Sequence, residues 1–133
     1  MKIEHYVVGV VGTNCYFTIN EDTKECLIID PGDHAKMLAE KITDSGYTPV
    51  AILLTHGHFD HIMGVEGLRA QFDIPVYVHE DDADMLESPQ LNACTMIGKT
   101  VSLHMILKKT KWLLVVHRLP CLLASMKNIR ARL

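Results

Sequence analysis

The chain has 133 residues, 48% of them hydrophobic, and a net charge of -3, which is enough to bury one core and too little for two ordinary domains. Its apolar runs are too short for a membrane span or a signal-peptide core, and its four cysteines lack C-x-x-C spacing. We therefore expect one soluble, cytoplasmic domain, or part of one, with reduced thiols rather than a disulfide scaffold.

The N-terminal part of the chain has the pattern of β-strands. Its apolar segments are separated by Gly12-Thr13-Asn14 and by a polar stretch at residues 20–25, both of which are turn signals. We expect antiparallel strands at residues 6–11, 15–20 and 26–30. Cys15 and Cys26 lie in these strand patterns and are interpreted as small buried hydrophobic residues.

After a turn at Asp30-Pro31-Gly32-Asp33 the pattern changes to alternating helices and strands. Apolar residues at helical spacing predict a helix that Asp33 caps and Gly46 ends. A continuous apolar run at residues 50–54 predicts a strand buried between layers. Further along the chain we expect a helix at 64–72, a strand at 75–79 and a helix at 81–87. This order of elements favours a mixed α/β layer architecture.

The segment Thr55-His56-Gly57-His58-Phe59-Asp60-His61 follows the buried strand and holds three imidazoles and a carboxylate. These ligands suit zinc, manganese or iron, and the lack of thiolates argues against a closed structural zinc site. An extended loop can turn His56 and His58 toward one ion, although their spacing excludes a shared helix face. Asp60 and His61 can then face a neighbouring ion, and Asp60 is also the candidate to orient the attacking water. The segment predicts an open, catalytic metal site.

Other polar residues carry less information. His5, His34, His79 and His104 are isolated and are interpreted as surface or structural residues. Asp30 has two interpretations: it braces the metal loop from the neighbouring turn, or it serves the chemistry of an Asp-Pro-Gly turn alone. We predict no metal ligand among them.

The motif resembles the Thr-His-x-His-x-Asp-His signature of the metallo-β-lactamase superfamily, especially its glyoxalase II-like branch, which includes hydroxyacylglutathione hydrolases. Gly12-Thr13-Asn14-Cys15-Tyr16, Ile28-Ile29-Asp30-Pro31-Gly32 and Val76-Tyr77-Val78-His79 are similar to segments at the same places in such proteins. The resemblance implies an α/β fold, an αββα sandwich of which the N-terminal half is complete here. It also implies that His56 and His58 bind a first metal ion, and Asp60 and His61 a second.

The resemblance ends before the later metal ligands of the family. The chain lacks the family's His-Thr-Pro-Gly-His-Thr segment, its bridging aspartate and its late histidine. The most similar segment is His117-Arg118-Leu119-Pro120-Cys121, in which Cys121 would take the position of the ligand. Residues 1–87 contain all 16 acidic residues and five basic ones, which gives a net charge of -11. The residues after Glu87 contain eight basic residues and no acidic one, which gives a charge of +8. We divide the chain into residues 1–107, the N-terminal part of the domain, and an atypical basic tail at residues 108–133. Our hypothesis for this tail is that a frameshift placed its coding sequence out of frame.

Two functions follow from the resemblance. The first is a metal-dependent hydrolase in which water activated by one or two zinc ions, with iron or manganese as alternatives, attacks a thioester or similar small acyl substrate. The second is a truncated, catalytically inactive metal-binding fragment of such a hydrolase. The expected partner is the small-molecule substrate, and we expect binding to neither nucleic acid nor membrane. A homodimer is an alternative expectation, because a second copy would cover an exposed half of the core.

Overall fold

The computed structural model describes residues 1–103 and the backbone of residues 108–110. In this part of the chain the strands are β1 (Lys2–Val8), β2 (Thr13–Ile19), β3 (Glu25–Ile29), β4 (Thr48–Leu53), β5 (Val76–His79) and β6 (Lys108–Thr110). The helices are α1 (Ala35–Asp44), α2 (Phe59–Ile62), α3 (Val65–Phe72) and α4 (Ala83–Glu87), with 3-10 turns at Glu80–Asp82 and Cys94–Ile97.

The strands form one mixed sheet in the order of the sequence. β1, β2 and β3 pair in antiparallel fashion, as predicted, with Tyr6 opposite Cys15 and Tyr16 opposite Ile29. β3, β4, β5 and β6 are parallel. Parallel neighbours need a crossover connection, and α1 provides one between β3 and β4. The mixed α/β architecture expected from the order of elements is confirmed.

The main core lies between one face of the sheet and the helices. Alternate residues of the strands turn toward this face, so Cys15, Phe17 and Ile19 of β2 are all buried there. The helices contribute apolar residues at helical spacing, among them Leu38 and Ile42 of α1. Cys15 and Cys26 are fully buried, as predicted.

The opposite face of the sheet is covered over only part of its width. Leu27, Ala51 and Tyr77 form a second small buried cluster on β3, β4 and β5. On β1, by contrast, Ile3 and Val7 are 57% and 60% exposed. The described part of the chain therefore forms one helix layer and one sheet whose second face is open at β1 and β2.

Several predicted element ends are wrong. The first strand ends at Val8 rather than residue 11, because Gly9 and Gly12 adopt φ of 72° and 71° and turn the chain into β2. Asp33 does not cap α1: the N-cap is His34, and the Asp33 carboxylate accepts a hydrogen bond from the His34 amide instead, at 2.6 Å. The helix predicted at 81–87 is divided into a 3-10 turn and the shorter α4.

The other predicted elements are found close to their expected places. α1 ends before Gly46, whose φ of 68° stops the helix, and Gly64 is the N-cap of α3. No helix in residues 1–103 is long and apolar enough to cross a membrane. The division of the chain at residue 107 stays a prediction, and His117 and Cys121 lie outside the described residues.

Candidate metal centre

The motif residues lie at the carboxyl edge of the parallel strands. Leu54, fully buried, continues the line of β4 by donating a hydrogen bond to the Tyr77 carbonyl at 2.9 Å. Beyond it the chain leaves the sheet through residues 55–58 and enters α2. β3 ends beside it, since Ile29 is in register with Leu53, and this places Asp30 next to the loop. In open α/β sheets this edge is where ligands bind, because the loops diverge there.

The structure brings the four predicted ligands together. The ring centroid of His56 lies 4.7 Å from that of His58 and 4.0 Å from that of His61. Asp60 Oδ2 is 3.3 Å from His61 Nε2. His56 and His58 are on the extended part of the loop, as predicted, whereas Asp60 and His61 lie in the single turn of α2 rather than on a loop.

Asp30 braces the loop, which decides between its two interpretations. Its carboxylate is 5% exposed and accepts hydrogen bonds from the Thr55 amide at 2.8 Å and the Thr55 hydroxyl at 2.6 Å. The Thr55 hydroxyl also lies 3.0 Å from His56 Nδ1. The single proton of the Thr55 hydroxyl goes to Asp30. The neutral His56 ring therefore donates from Nδ1 to the Thr55 hydroxyl oxygen and keeps the lone pair of Nε2 for a ligand.

Thr13 is a site residue that sequence reasoning missed. Its hydroxyl donates a hydrogen bond of 2.7 Å to Asp60 Oδ2. The backbone allows this approach because residue 32 is a glycine: a Cβ there would collide with the Asp60 carbonyl oxygen and lie 3.4 Å from Thr13 Cβ. The sequence indicates this role only weakly, because Thr13 stands out solely as part of the turn segment Gly12-Thr13-Asn14-Cys15-Tyr16, which resembles a segment of the family.

Asn92 was also missed, and no motif pointed to it. Its backbone carbonyl accepts a hydrogen bond of 2.8 Å from the amide of Phe59, the first residue of α2. Its side chain is fully buried, donates to the Val101 carbonyl at 2.7 Å and accepts from the Cys94 amide at 3.0 Å. The loop between α4 and residue 101 therefore anchors the start of the helix that carries Asp60 and His61.

The histidines have different electrostatic surroundings. Burial, followed by the nearby His61 and His58, lowers the pKa of His56 below its ordinary value of 6.5. Burial would also lower the pKa of His61, but the carboxylates of Asp30 and Asp60 outweigh it and raise that pKa. His61 Nδ1 is buried at 3.1 Å from Asp30 Oδ2, within ion-pair distance, although its alignment falls short of a hydrogen bond. His56 is thus the more readily available neutral ligand near pH 7.

A cleft of about 400 Å³ opens beside Asp60 and His61. Its walls come from the turn between β1 and β2 and from the carboxyl edge of the sheet: Val11, Gly12, Thr13, Asn14, Tyr16, Asp30, Asp60 and His61. A small molecule bound there would meet both apolar groups, such as Val11 and Tyr16, and the acidic residues Asp30 and Asp60.

The donor types in the cluster fit a divalent metal ion, but the ligand set is incomplete. Imidazole and carboxylate donors suit zinc and iron, and the buried His61 Nδ1 makes no well-aligned hydrogen bond, although it lies 3.1 Å from Asp30 Oδ2. Within residues 1–103, however, no three histidine, cysteine, aspartate or glutamate side chains are arranged to hold an ion. The described residues supply a compact group of donors without a closed shell.

Comparison with known proteins places this geometry in a family. The family model described as Metallo-beta-lactamase superfamily matches residues 8–119. A probable metallo-hydrolase, YqgX, of Bacillus subtilis is 42% identical over 97 residues, which are 73% of this chain and 45% of that protein. A hydroxyacylglutathione hydrolase of Erwinia tasmaniensis is 36% identical over 94 residues, 70% of this chain and 35% of the relative.

Solved structures agree with the fold expected from the motif. The B3 metallo-beta-lactamase BLEG-1 superposes with a TM-score of 0.78 at 37% identity, over 83% of this chain and 53% of that one. TTHA1623, solved in a di-iron-bound form, gives a TM-score of 0.71 at 30% identity, over 81% and 54%. The chain thus spans about half the length of these relatives, which accords with the predicted partial sandwich. The chain belongs to the metallo-beta-lactamase superfamily.

Proposed function

We propose that the chain is a metal-dependent hydrolase of small acyl compounds, with thioesters as the substrate class. The observation that carries the proposal is the gathering of three imidazoles and the Asp60 carboxylate at the carboxyl edge of the sheet, beside an open cleft. The thioester comes from one relative, which is named a hydroxyacylglutathione hydrolase. The small-molecule partner agrees with the size of the cleft.

In this proposal His56 and His58 hold a first ion, and Asp60 and His61 a second. Zinc is the proposed metal, with iron and manganese as alternatives, and iron has a precedent in the di-iron-bound form of TTHA1623. A bound ion of this kind polarises a carbonyl and makes a neighbouring water more acidic. Asp60 is the catalytic residue proposed to orient that water, because its carboxylate borders the cleft.

A second candidate is a catalytically inactive metal-binding fragment. One observation favours it: residues 1–103 contain no closed ligand set. Catalysis needs an ion fixed with one open position, whereas two histidines are enough to hold zinc weakly. Homodimerisation belongs to this proposal, since exposed Ile3 and Val7 form an apolar surface that a second copy would cover.

Metal content and turnover of the full chain together test both candidates. The chain is incubated with Zn²⁺, desalted and submitted to elemental analysis, and hydrolysis of an acylated glutathione is followed in parallel. A variant with His56→Ala and His58→Ala is compared with a control carrying His5→Ala and His79→Ala, which removes equally many histidines outside the cluster.

The hydrolase proposal expects about one or two ions per chain, lost in the first variant and kept in the control, together with turnover. Bound zinc without turnover would support the inactive fragment instead. A wild-type chain that retains no metal would refute a metal-dependent function for it, and sedimentation of the same sample shows whether the chain is a dimer.

A further inference from the structure

One contact joins the metal motif to a distant part of the chain. Thr13 is the first residue of β2 and pairs with Val8, the last residue of β1. It is 7% exposed, and its hydroxyl reaches Asp60 across 47 positions of sequence. A hydroxyl bonded to a carboxylate makes a charge-assisted hydrogen bond, which is stronger than one between neutral groups.

The position of the Thr13 hydroxyl is fixed by its surroundings. Val8 opposite it is 1% exposed and Cys15, two residues on, is fully buried, so both strands of the hairpin are anchored in the core. Gly32 lies between the hairpin and α2 with no room for a side chain. The turn at residues 30–33 therefore packs against the backbone of α2 and against the Thr13 side chain, and the Thr13 hydroxyl has little freedom to leave Asp60.

The contact selects one oxygen of the Asp60 carboxylate. Thr13 Oγ1 and His61 Nε2 both approach Oδ2, at 2.7 and 3.3 Å. Within the described residues, no hydrogen bond or ion pair involves Oδ1. An aspartate side chain has three staggered χ1 rotamers and a broad, nearly two-fold terminal torsion, so these torsions alone leave several positions open for the carboxylate. The hydrogen bond from Thr13 favours the one rotamer that brings an Asp60 oxygen to the hairpin, and in that rotamer the other oxygen remains for a ligand.

We propose that Thr13 is a positioning residue that fixes the orientation of the Asp60 carboxylate and leaves Oδ1 for a metal ion. The proposal rests on the proposed function for its purpose, but the orientation itself is a property of the metal-free chain. Groups that orient metal ligands from outside typically change affinity by about 10-fold to 100-fold when they are removed.

The test uses two hydroxyl-free variants, Thr13→Val and Thr13→Ala, and one variant that keeps the hydroxyl, Thr13→Ser. Thr13→Val preserves the shape of the side chain, and Thr13→Ala also removes the γ-methyl group of threonine. Thr18→Val is the matched control, because Thr18 lies on the same strand and is partly buried. Far-UV circular dichroism checks that each variant folds.

The first measurement is the set of χ1 scalar couplings of Asp60 in the metal-free full chain. We expect a single rotamer in the wild type, Thr13→Ser and Thr18→Val, and averaged couplings in Thr13→Val and Thr13→Ala. The second measurement is titration with Co²⁺ followed by absorbance. Both hydroxyl-free variants are expected to bind about 10-fold more weakly, and Thr13→Ser to recover wild-type affinity.

Unchanged Asp60 couplings in Thr13→Val and Thr13→Ala would overturn the proposal, as would a Thr13→Ser variant that behaves like them. If the wild type binds no Co²⁺, the proposed function fails, and the couplings alone then decide the role of Thr13. If neither hydroxyl-free variant folds while Thr18→Val does, Thr13→Ser decides: averaged couplings in this folded, hydroxyl-bearing variant overturn the proposal, and a single rotamer supports it.

Discussion

Replacement of Asp30 by asparagine tests whether this carboxylate supports the metal loop. Asp30 has a φ of 50°, a conformation that asparagine adopts with little strain, so Asp30→Asn changes the charge without disturbing the backbone. The carboxylate accepts two hydrogen bonds from Thr55. Hydrogen bonds to charged groups contribute about 1.5 to 3 kcal/mol each. Asparagine keeps one acceptor oxygen and so loses one of these bonds, and we expect a loss of about 1.5 to 3 kcal/mol in the free energy of unfolding.

The measurement is urea unfolding followed by far-UV circular dichroism, with the m-value checked to be unchanged. Asp73→Asn is the matched control, since Asp73 has the same φ of 50° but is exposed at the end of α3. We expect it to stay within about 0.5 kcal/mol of the wild type. An Asp30→Asn variant as stable as the control would refute the conclusion that Asp30 braces the loop.

Two further predictions concern buried polar contacts elsewhere. Asn92→Ala removes two side-chain hydrogen bonds from a fully buried site, so we expect it to lower the free energy of unfolding by about 2 to 3 kcal/mol. We also expect faster hydrogen exchange of the Phe59 amide, and an unchanged exchange rate would contradict the anchoring role of Asn92. Burial would raise the pKa of Glu4, but hydrogen bonds led by that from Lys2 lower it to about 2. The stabilisation by Glu4 is therefore present above pH 4.5 and lost as the pH falls toward 2. Glu4→Gln should remove about 0.5 kcal/mol of this acid-dependent change, measured by urea unfolding at pH 6 and pH 3, and an unaltered pH profile would refute it.

Much of the fold was predictable because local patterns carry it. Apolar segments between turn signals located β2 and β3, and the apolar run before the motif located β4. Glycine at the helix ends marked where α1 ends and α3 begins. The start of β1 was missed because Glu4 and His5 interrupt the apolar pattern of the strand, although Glu4 is partly buried.

The site was predictable only where its residues are contiguous. His56, His58, Asp60 and His61 are brought close by a short loop and one helical turn, so spacing alone indicated their neighbourhood. The contacts that Thr13 and Asn92 make depend on the register of a distant hairpin and on a loop after α4. No local propensity or motif encodes such contacts, because they arise from how the elements pack.

The contact between Thr13 and Asp60 has a consequence for how the fold is acquired. The β1 and β2 hairpin closes over a short stretch of chain, whereas joining it to α2 spans 47 residues and requires the parallel pairing of β3 with β4. Contacts of long sequence separation cost more loop entropy and form later than local ones. A seven-residue motif transplanted to another scaffold would therefore carry the donors but not their orientation, which belongs to the assembled topology.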